Sequence, residues 1–296
     1  MVMNKKDIRI WFTYFWGQFD KNDNLFTWIL SHKYNVIVTD DNPDIVITLS
    51  SNERYKDAKM IHFSGEPFFN LGVCDYAMTS FYNDDERFFR VPLFLLYNYD
   101  YLKHGYINSY EHLVNHMKDP NEILKNKTNF CTFISQGAGY EGCIRTRFFF
   151  ELSTYKKVDS PGSYLNNHQA INGEAGTIHG SINKTLFLKN YKFTMAFENR
   201  DNFDGYVGYT TEKIFEPFMA DSIPIYWGNP LIGNDFNTSS FINWNDYGSD
   251  EKVIDEIIKI DNNDGLYLDL IRQKYVNNDE LFTIDYVLNI FDKILK

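Results

Sequence analysis

Two short apolar runs separated by one helix-length segment constrain this chain more than any other feature. Lys192 to Glu198 is an aromatic and aliphatic run ending in the polar residues Glu198 and Asn199, and Ile223-Pro224-Ile225-Tyr226-Trp227-Gly228 is a second such run. Each reads as a buried strand. Between them, Thr210 or Thr211 is placed to act as an N-cap, Glu212 and Lys213 fall in the first helical turn, and Ile214, Phe215, Phe218 and Met219 supply an apolar helical face. The unit is therefore strand, helix, strand. It delivers polar residues to the carboxyl end of a strand, where open α/β sheets bind their ligands. Helix N-termini attract anions, because their free N–H groups and macrodipole contribute about 0.3–1 kcal/mol when exposed and up to about 2 kcal/mol when partly buried. Lys213 adds a full positive charge beside that end.

The same alternation runs through the rest of the chain. Strand-like runs from Ile8 to Phe15, Val36 to Thr39, Ile45 to Leu49, Met60 to Phe63 and Tyr76 to Thr79, with a helix around Leu25 to His32, predict a Rossmann-like first half. From Tyr99 to Asn129 the chain turns polar and loses its strand signal, so the inter-domain connection is expected there. His104, His112 and His116 lie in this stretch without carboxylate-rich partners and read as solvated helix residues rather than metal ligands. The second half opens with a strand from Phe130 to Ser135, a turn at Gly137-Ala138-Gly139 and a helix containing Cys143 to Ser153. That turn could cradle phosphate, although a simple tight turn is the plainer reading. Arg147 on this helix reads as a surface charge. Val253 to Ile260, Leu266 to Tyr275 and Ile284 to Lys296 are helical in pattern.

Bulk properties narrow the function. With 296 residues, 44% hydrophobic and 18% aromatic, the chain has material for two cores. A formal net charge of −11 argues against a broad nucleic-acid surface or general adhesion to anionic lipid. Cys74, Cys131 and Cys143 are odd in number and widely spaced, which fits buried thiols rather than a disulfide framework or zinc site. The N-terminal segment is too quickly interrupted for a signal peptide and no apolar run is long enough to span a membrane, so a cytoplasmic, non-secreted protein with at most peripheral membrane contact is expected. The sequons at Asn126, Asn183 and Asn237 then reflect only an Asn-rich composition.

Phe197-Glu198-Asn199, then Tyr209-Thr210-Thr211-Glu212-Lys213, then Ile223-Pro224-Ile225-Tyr226-Trp227-Gly228-Asn229-Pro230 together resemble the donor-site signature of the α1,3/4-fucosyltransferases, glycosyltransferase family 10. The likeness continues through Asn234-Asp235-Phe236-Asn237 and Ser240-Phe241-Ile242-Asn243. It implies an α/β fold of the GT-B type, two Rossmann-like domains facing across a cleft. Residues 1–125 would bind acceptor, 126–280 would bind GDP-fucose, and a helix in 281–296 would pack back on the first domain. Arg145 corresponds to the arginine that the family places on the donor diphosphate. Asn199 and Tyr209 would hold phosphate or sugar oxygens, Glu212 would accept from ribose or fucose hydroxyls, and Lys213 would join Arg145 on the leaving group.

The resemblance also implies a general base. His62-Phe63-Ser64-Gly65-Glu66-Pro67, followed by Asp75-Tyr76-Ala77 and by Arg87-Phe88-Phe89-Arg90-Val91-Pro92-Leu93, matches the region where bacterial members carry a glutamate proposed for that role, here Glu66. The implied reaction is an inverting transfer of fucose from GDP-fucose to a GlcNAc hydroxyl of an N-acetyllactosamine-like oligosaccharide, in α1,3 linkage alone or in both α1,3 and α1,4 linkage. No Asp-x-Asp occurs, and Asp84-Asp85-Glu86 is the nearest approach, so no metal and no cofactor are expected. Three departures stand out: Pro67 biases Glu66 towards extended backbone, Pro217 falls inside the predicted helix, and the spacer from Asn199 to Tyr209 is longer than in compact members. That spacer either bulges into solvent, the simpler reading, or lies over the sugar. Two other functions fit the same scaffold: a GT-B transferase with another nucleotide-sugar donor, and a glycan- or nucleotide-binding protein without turnover. Trp11, Phe12, Tyr14, Phe15 and Trp16 crowd the end of the first strand, where they serve as sugar-stacking faces or in part as core.

Overall fold

The computed structural model describes residues 5–50, 52–66, 70–105, 109–115, 119–139, 142–172, 178–201 and 207–296. Strands β1 (Asp7–Thr13), β2 (Asn35–Val38), β3 (Ile45–Thr48), β4 (Lys59–Phe63), β5 (Tyr76–Thr79) and β6 (Phe88–Arg90) form a parallel sheet ordered β2-β1-β3-β4-β5-β6. A second parallel sheet, ordered β11-β10-β9-β7-β8, uses β7 (Asn129–Thr132), β8 (Val158–Asp159), β9 (Tyr191–Phe197), β10 (Ile223–Trp227) and β11 (Ile242–Asn243). The helices are α1 (Leu25–Ser31), α2 (Leu93–His104), α3 (Ser109–Asn115), α4 (Pro120–Asn126), α5 (Gly142–Tyr155), α6 (Ile178–Leu188), α7 (Glu212–Met219), α8 (Asp250–Asp261), α9 (Asp264–Ile271) and α10 (Ile284–Ile294). Every residue of β3 and β10 is buried, as a parallel strand covered on both faces requires. Local signals set the ends: Asn24 caps α1 through a reciprocal box with Thr27, and Thr211 caps α7.

Two large apolar cores hold these layers, beside a smaller cluster of Val46, Ala58, Met60 and Cys74. One lies between β7, β9 and β10 and helices α5, α8 and α9, around Phe148, Leu152, Phe193, Ile257 and Tyr267. The other joins the sheets: it runs from Ile10 and Phe12 of β1 through Phe94 of α2 to Phe215 and Phe218 of α7, and on to Phe282 and Phe291 near the end of the chain. Phe94 sits 5.0 Å from Phe236 and 5.4 Å from Phe282, ring centre to ring centre. Helix α10 lies against α1, where Asp292 accepts a 2.7 Å hydrogen bond from the Tyr34 hydroxyl and pairs with Lys33.

The polar stretch after Tyr99 folds as the end of α2 followed by α3 and α4. His112 departs from the solvated reading. It is 3% exposed, with Nε2 3.0 Å from the Phe218 carbonyl and 3.1 Å from Asp221 Oδ1. The partners come from the end of α7, a hundred residues on, which spacing within α3 cannot reveal. His104 is exposed beside Asp100, and His116 lies outside the described residues. Helix α9 stops at Ile271, short of the expected end, because Tyr275 leaves the helix to stack on Phe218 at 4.5 Å. Pro217 sits inside α7 without ending it. Cys74 and Cys131 are buried free thiols. Among the described residues no helix is long and apolar enough to cross a membrane.

An acid-sensitive joint ties α8 to the second sheet. Burial pushes the Asp261 carboxyl up, but hydrogen bonds from Lys156, Lys192 (3.0 Å) and Tyr155 (3.0 Å) outweigh it and hold that carboxyl below the usual carboxylate range. A depressed folded value means that the stabilisation is present above the unfolded value, about 3.9, and is lost as pH falls through the folded one. Asp261→Asn should therefore be less stable than the parent at neutral pH and lose less of its urea midpoint between about pH 5 and about pH 2. Parallel acid limbs for the two proteins would assign the acid sensitivity elsewhere.

Candidate active site

Glu198, which follows β9, organises the site. It is fully buried, and burial pushes its carboxyl up. Its Oε1 accepts from the Thr211 N–H at 2.7 Å, its Oε2 accepts from the Thr211 hydroxyl at 2.8 Å, and Lys213 Nζ lies 3.4 Å from Oε2. Gly228, after β10, makes room for it: a Cβ there would stand 2.5 Å from Glu198 Cγ and 2.8 Å from the Tyr226 hydroxyl oxygen. Asn229 completes the frame, donating from Nδ2 to Thr210 Oγ1 at 3.1 Å while its N–H donates to the Tyr226 hydroxyl at 3.0 Å. The ends of β9 and β10 thus fix Thr210 and Thr211, and with them the N-terminus of α7.

Arg145 returns to the same strand end from α5. It is 2% exposed and donates from Nε to the Glu198 carbonyl (3.1 Å) and from Nη2 to the Phe197 carbonyl (2.6 Å) and Asn199 Oδ1 (2.7 Å). Its Nη1 reaches the Gly137 carbonyl at 3.3 Å. Gly139, at φ +76, lies against the guanidinium, and a Cβ there would come within 2.9 Å of Nη1. The glycine turn therefore admits the arginine to the strand end.

These groups face a cleft of about 780 Å³, with Arg145, Asn199, Glu212 and Lys213 all on its wall. Among the wall residues that carried no sequence signal are Lys184 of α6, Glu216 of α7 and Tyr97 of α2. Lys184 pairs with Glu216, whose Oε1 also accepts from the Ser181 hydroxyl at 2.5 Å. Burial would raise the Glu212 carboxyl, but Lys213 and Lys184 outweigh it and hold it low. Burial dominates at Glu216 and pushes it up despite Lys184. Arg145, Lys184 and Lys213 thus meet Glu198, Glu212 and Glu216 around the head of α7, whose free N–H groups and macrodipole favour an anion.

Glu66 and Tyr209 are not on that wall. Glu66 is exposed just beyond β4, in the first sheet. Tyr209 is buried, and its phenol is pushed up by burial first and then by the Glu198, Glu66 and Glu212 carboxylates, so it senses charges from both sheets. Pro67, and residues 202–206 of the long spacer, lie outside the described residues. Arg147 is half exposed and pairs with the buried Asp250 at 2.5 Å. Of the aromatic group at the end of β1, Phe12 is core while Tyr14 and Trp16 are exposed. Among the described residues, no three His, Cys, Asp or Glu side chains are grouped to hold a metal ion.

Residues 10–97 match the N-terminal domain of the alpha-(1,3)-fucosyltransferase FucT, and residues 123–282 match the C-terminal part of glycosyltransferase family 10 (fucosyltransferase). The alpha-(1,3)-fucosyltransferase FucT of Helicobacter pylori is 30% identical over 312 residues, which cover 93% of this chain and 61% of that protein. The chain therefore spans less than two thirds of that relative's length. A crystal structure of an alpha1,3-fucosyltransferase with GDP-fucose superposes with a TM-score of 0.75 at 23% identity, over 100% of this chain and 93% of that one. The corresponding structure with GDP gives 0.76 at 24% identity, over 100% and 92%. These neighbours agree with the α/β architecture of two parallel sheets on either side of a cleft, the GT-B fold. With more than half of its residues matched by the family's C-terminal part, the chain belongs to glycosyltransferase family 10.

Proposed function

We propose that this chain transfers L-fucose from GDP-fucose to a GlcNAc hydroxyl of an N-acetyllactosamine-like glycan, with inversion, in α1,3 linkage alone or in both α1,3 and α1,4 linkage. The observation that carries the reading is the meeting of Arg145, Asn199, Glu212 and Lys213 on one cleft at the head of α7. The Glu66 carboxylate takes the proton of the acceptor hydroxyl. The acceptor oxygen then bonds to the anomeric carbon as the bond from that carbon to phosphate breaks, and GDP leaves with the electron pair. Negative charge gathers on the diphosphate, where Arg145, Lys213 and the N-terminus of α7 stabilise it. Asn199 and Tyr209 hold phosphate or sugar oxygens, and Glu212 accepts from ribose or fucose hydroxyls. In this reading residues 1–125 receive the acceptor, 126–280 bind the donor and 281–296 close the first unit. The cations neutralise the leaving group without a metal, in a protein that works in the cytoplasm with at most peripheral membrane contact.

The test is product formation from GDP-fucose and N-acetyllactosamine in excess EDTA, read by mass spectrometry. A fucosylated product is expected; unchanged substrates, with turnover of another nucleotide sugar instead, would overturn the donor assignment. Product that appears only after a divalent ion is restored would overturn metal independence alone. Lys213→Met should weaken GDP binding by about 10- to 100-fold, the usual range for losing a charge-assisted contact to phosphate. Calorimetry on the folded variant checks this, and an unchanged affinity would take Lys213 off the diphosphate.

A further inference from the structure

We infer that Arg90, at the end of β6 in the first sheet, is a positioning residue for the donor site in the second half, acting through Tyr209; this rests on the donor-binding role proposed for Tyr209. Its guanidinium forms a two-pronged pair with Asp235, Nη1 to Oδ1 at 2.8 Å and Nη2 to Oδ2 at 2.6 Å. Nε donates to the Ser80 carbonyl at 3.0 Å and Nη2 to the Gly208 carbonyl at 3.3 Å. The Tyr82 ring lies 4.1 Å below the guanidinium, and the Tyr286 hydroxyl donates to the Arg90 carbonyl at 2.7 Å. The side chains are 11% and 1% exposed for Arg90 and Asp235, so the pair is screened little by solvent.

An ion pair in a seam would by itself be only structural. What distinguishes this one is the backbone it grips. The Tyr82 N–H donates to the Val207 carbonyl at 2.9 Å, next to the Gly208 carbonyl held by Arg90. Gly208, at φ +119, is pressed so closely on the first sheet that a Cβ would lie 2.7 Å from the Ser80 carbonyl oxygen and 2.9 Å from the Tyr82 ring. The Thr210 hydroxyl donates to the same Gly208 carbonyl at 3.3 Å and accepts from Asn229. Residues 207–210 are thus clamped between the end of the first sheet and the end of β10. The next residue is the N-cap of α7, and Tyr209 sits in the middle of the clamp. The Arg90 side chain bonds Asp235 of the second half, Gly208 of the clamp and Ser80 of the first sheet together.

Arg90→Lys keeps the charge but cannot reproduce the planar fork. It should raise the dissociation constant for GDP-fucose about tenfold, within the range by which residues that act through a neighbour alter binding. Tyr209→Phe should also weaken binding, and the double variant should bind no more weakly than the worse single one, because both changes remove one function. Calorimetric titration with GDP-fucose, with thermal midpoints measured alongside, reads this out. Unchanged affinity in Arg90→Lys with a lowered midpoint would reduce Arg90 to a structural ion pair, and additive losses in the double variant would overturn the route through Tyr209. Unchanged affinity in Tyr209→Phe would remove the donor role of Tyr209 and the inference with it, while leaving GDP-fucose as the donor. Where Arg90→Lys fails to fold, Asp235→Asn replaces it: a smaller, non-additive loss with Tyr209→Phe supports the inference, and additivity overturns it.

Discussion

Glu66→Gln is expected to lower kcat by about 10²–10⁴-fold, the usual contribution of a general base, with the fold and GDP affinity unchanged. The carboxylate is exposed beyond β4 and off the wall of the nucleotide cleft, so an isosteric amide disturbs neither packing nor the donor groups on that wall. Only basicity is lost. Turnover measured with N-acetyllactosamine, beside a GDP titration and a thermal melt, separates the cases. Parent-like turnover would remove Glu66 from the proton transfer, and loss of GDP binding would place it on the donor instead.

Gly228→Ala is expected to lower stability by on the order of 3–5 kcal/mol, and to weaken GDP binding as well. The added methyl would meet Glu198 Cγ at 2.5 Å and Cβ at 2.8 Å. Glu198 has little room to yield, because both carboxylate oxygens are bonded to Thr211 inside a closed packing. Overfilling such a place costs about 1–3 kcal/mol, and loosening hydrogen bonds to a charged group adds about 1.5–3 kcal/mol. Since Glu198 holds the cap of α7, its displacement also moves Lys213 and Glu212. Gly233→Ala is the control, because its Cβ would meet only Thr238 Cγ2 at 3.5 Å. Chemical denaturation of both variants gives the answer, and equal midpoints would show that the Glu198 pocket relaxes at little cost.

Much of this was legible in sequence, and what was not has physical reasons. The unit from β9 through α7 to β10 announces itself, because apolar runs, a capping threonine and a helical apolar face are local signals. Strands β6 and β8, of three and two residues, are too short to carry a period. Lys184 and Glu216 form a pair on the cleft wall, yet they come from different helices with no motif between them. Glu198 was readable as a polar residue at a strand end. Its role as the buried organiser depends on Gly228 and Thr211 arriving from elsewhere in the chain. His112 shows the same limit: its partner Asp221 lies beyond the end of α7.

The contact of α10 with α1 has a consequence for how the protein is made. The Tyr34 hydroxyl and Asp292 are 258 residues apart in the chain. At roughly 5–20 residues per second on the ribosome, the α1 face of the first sheet waits on the order of ten seconds or more for its cover. Through that interval, part of the apolar surface destined for Phe282 and Phe291 stays open to solvent or to a chaperone. The first half to leave the ribosome is thus among the last to be finished.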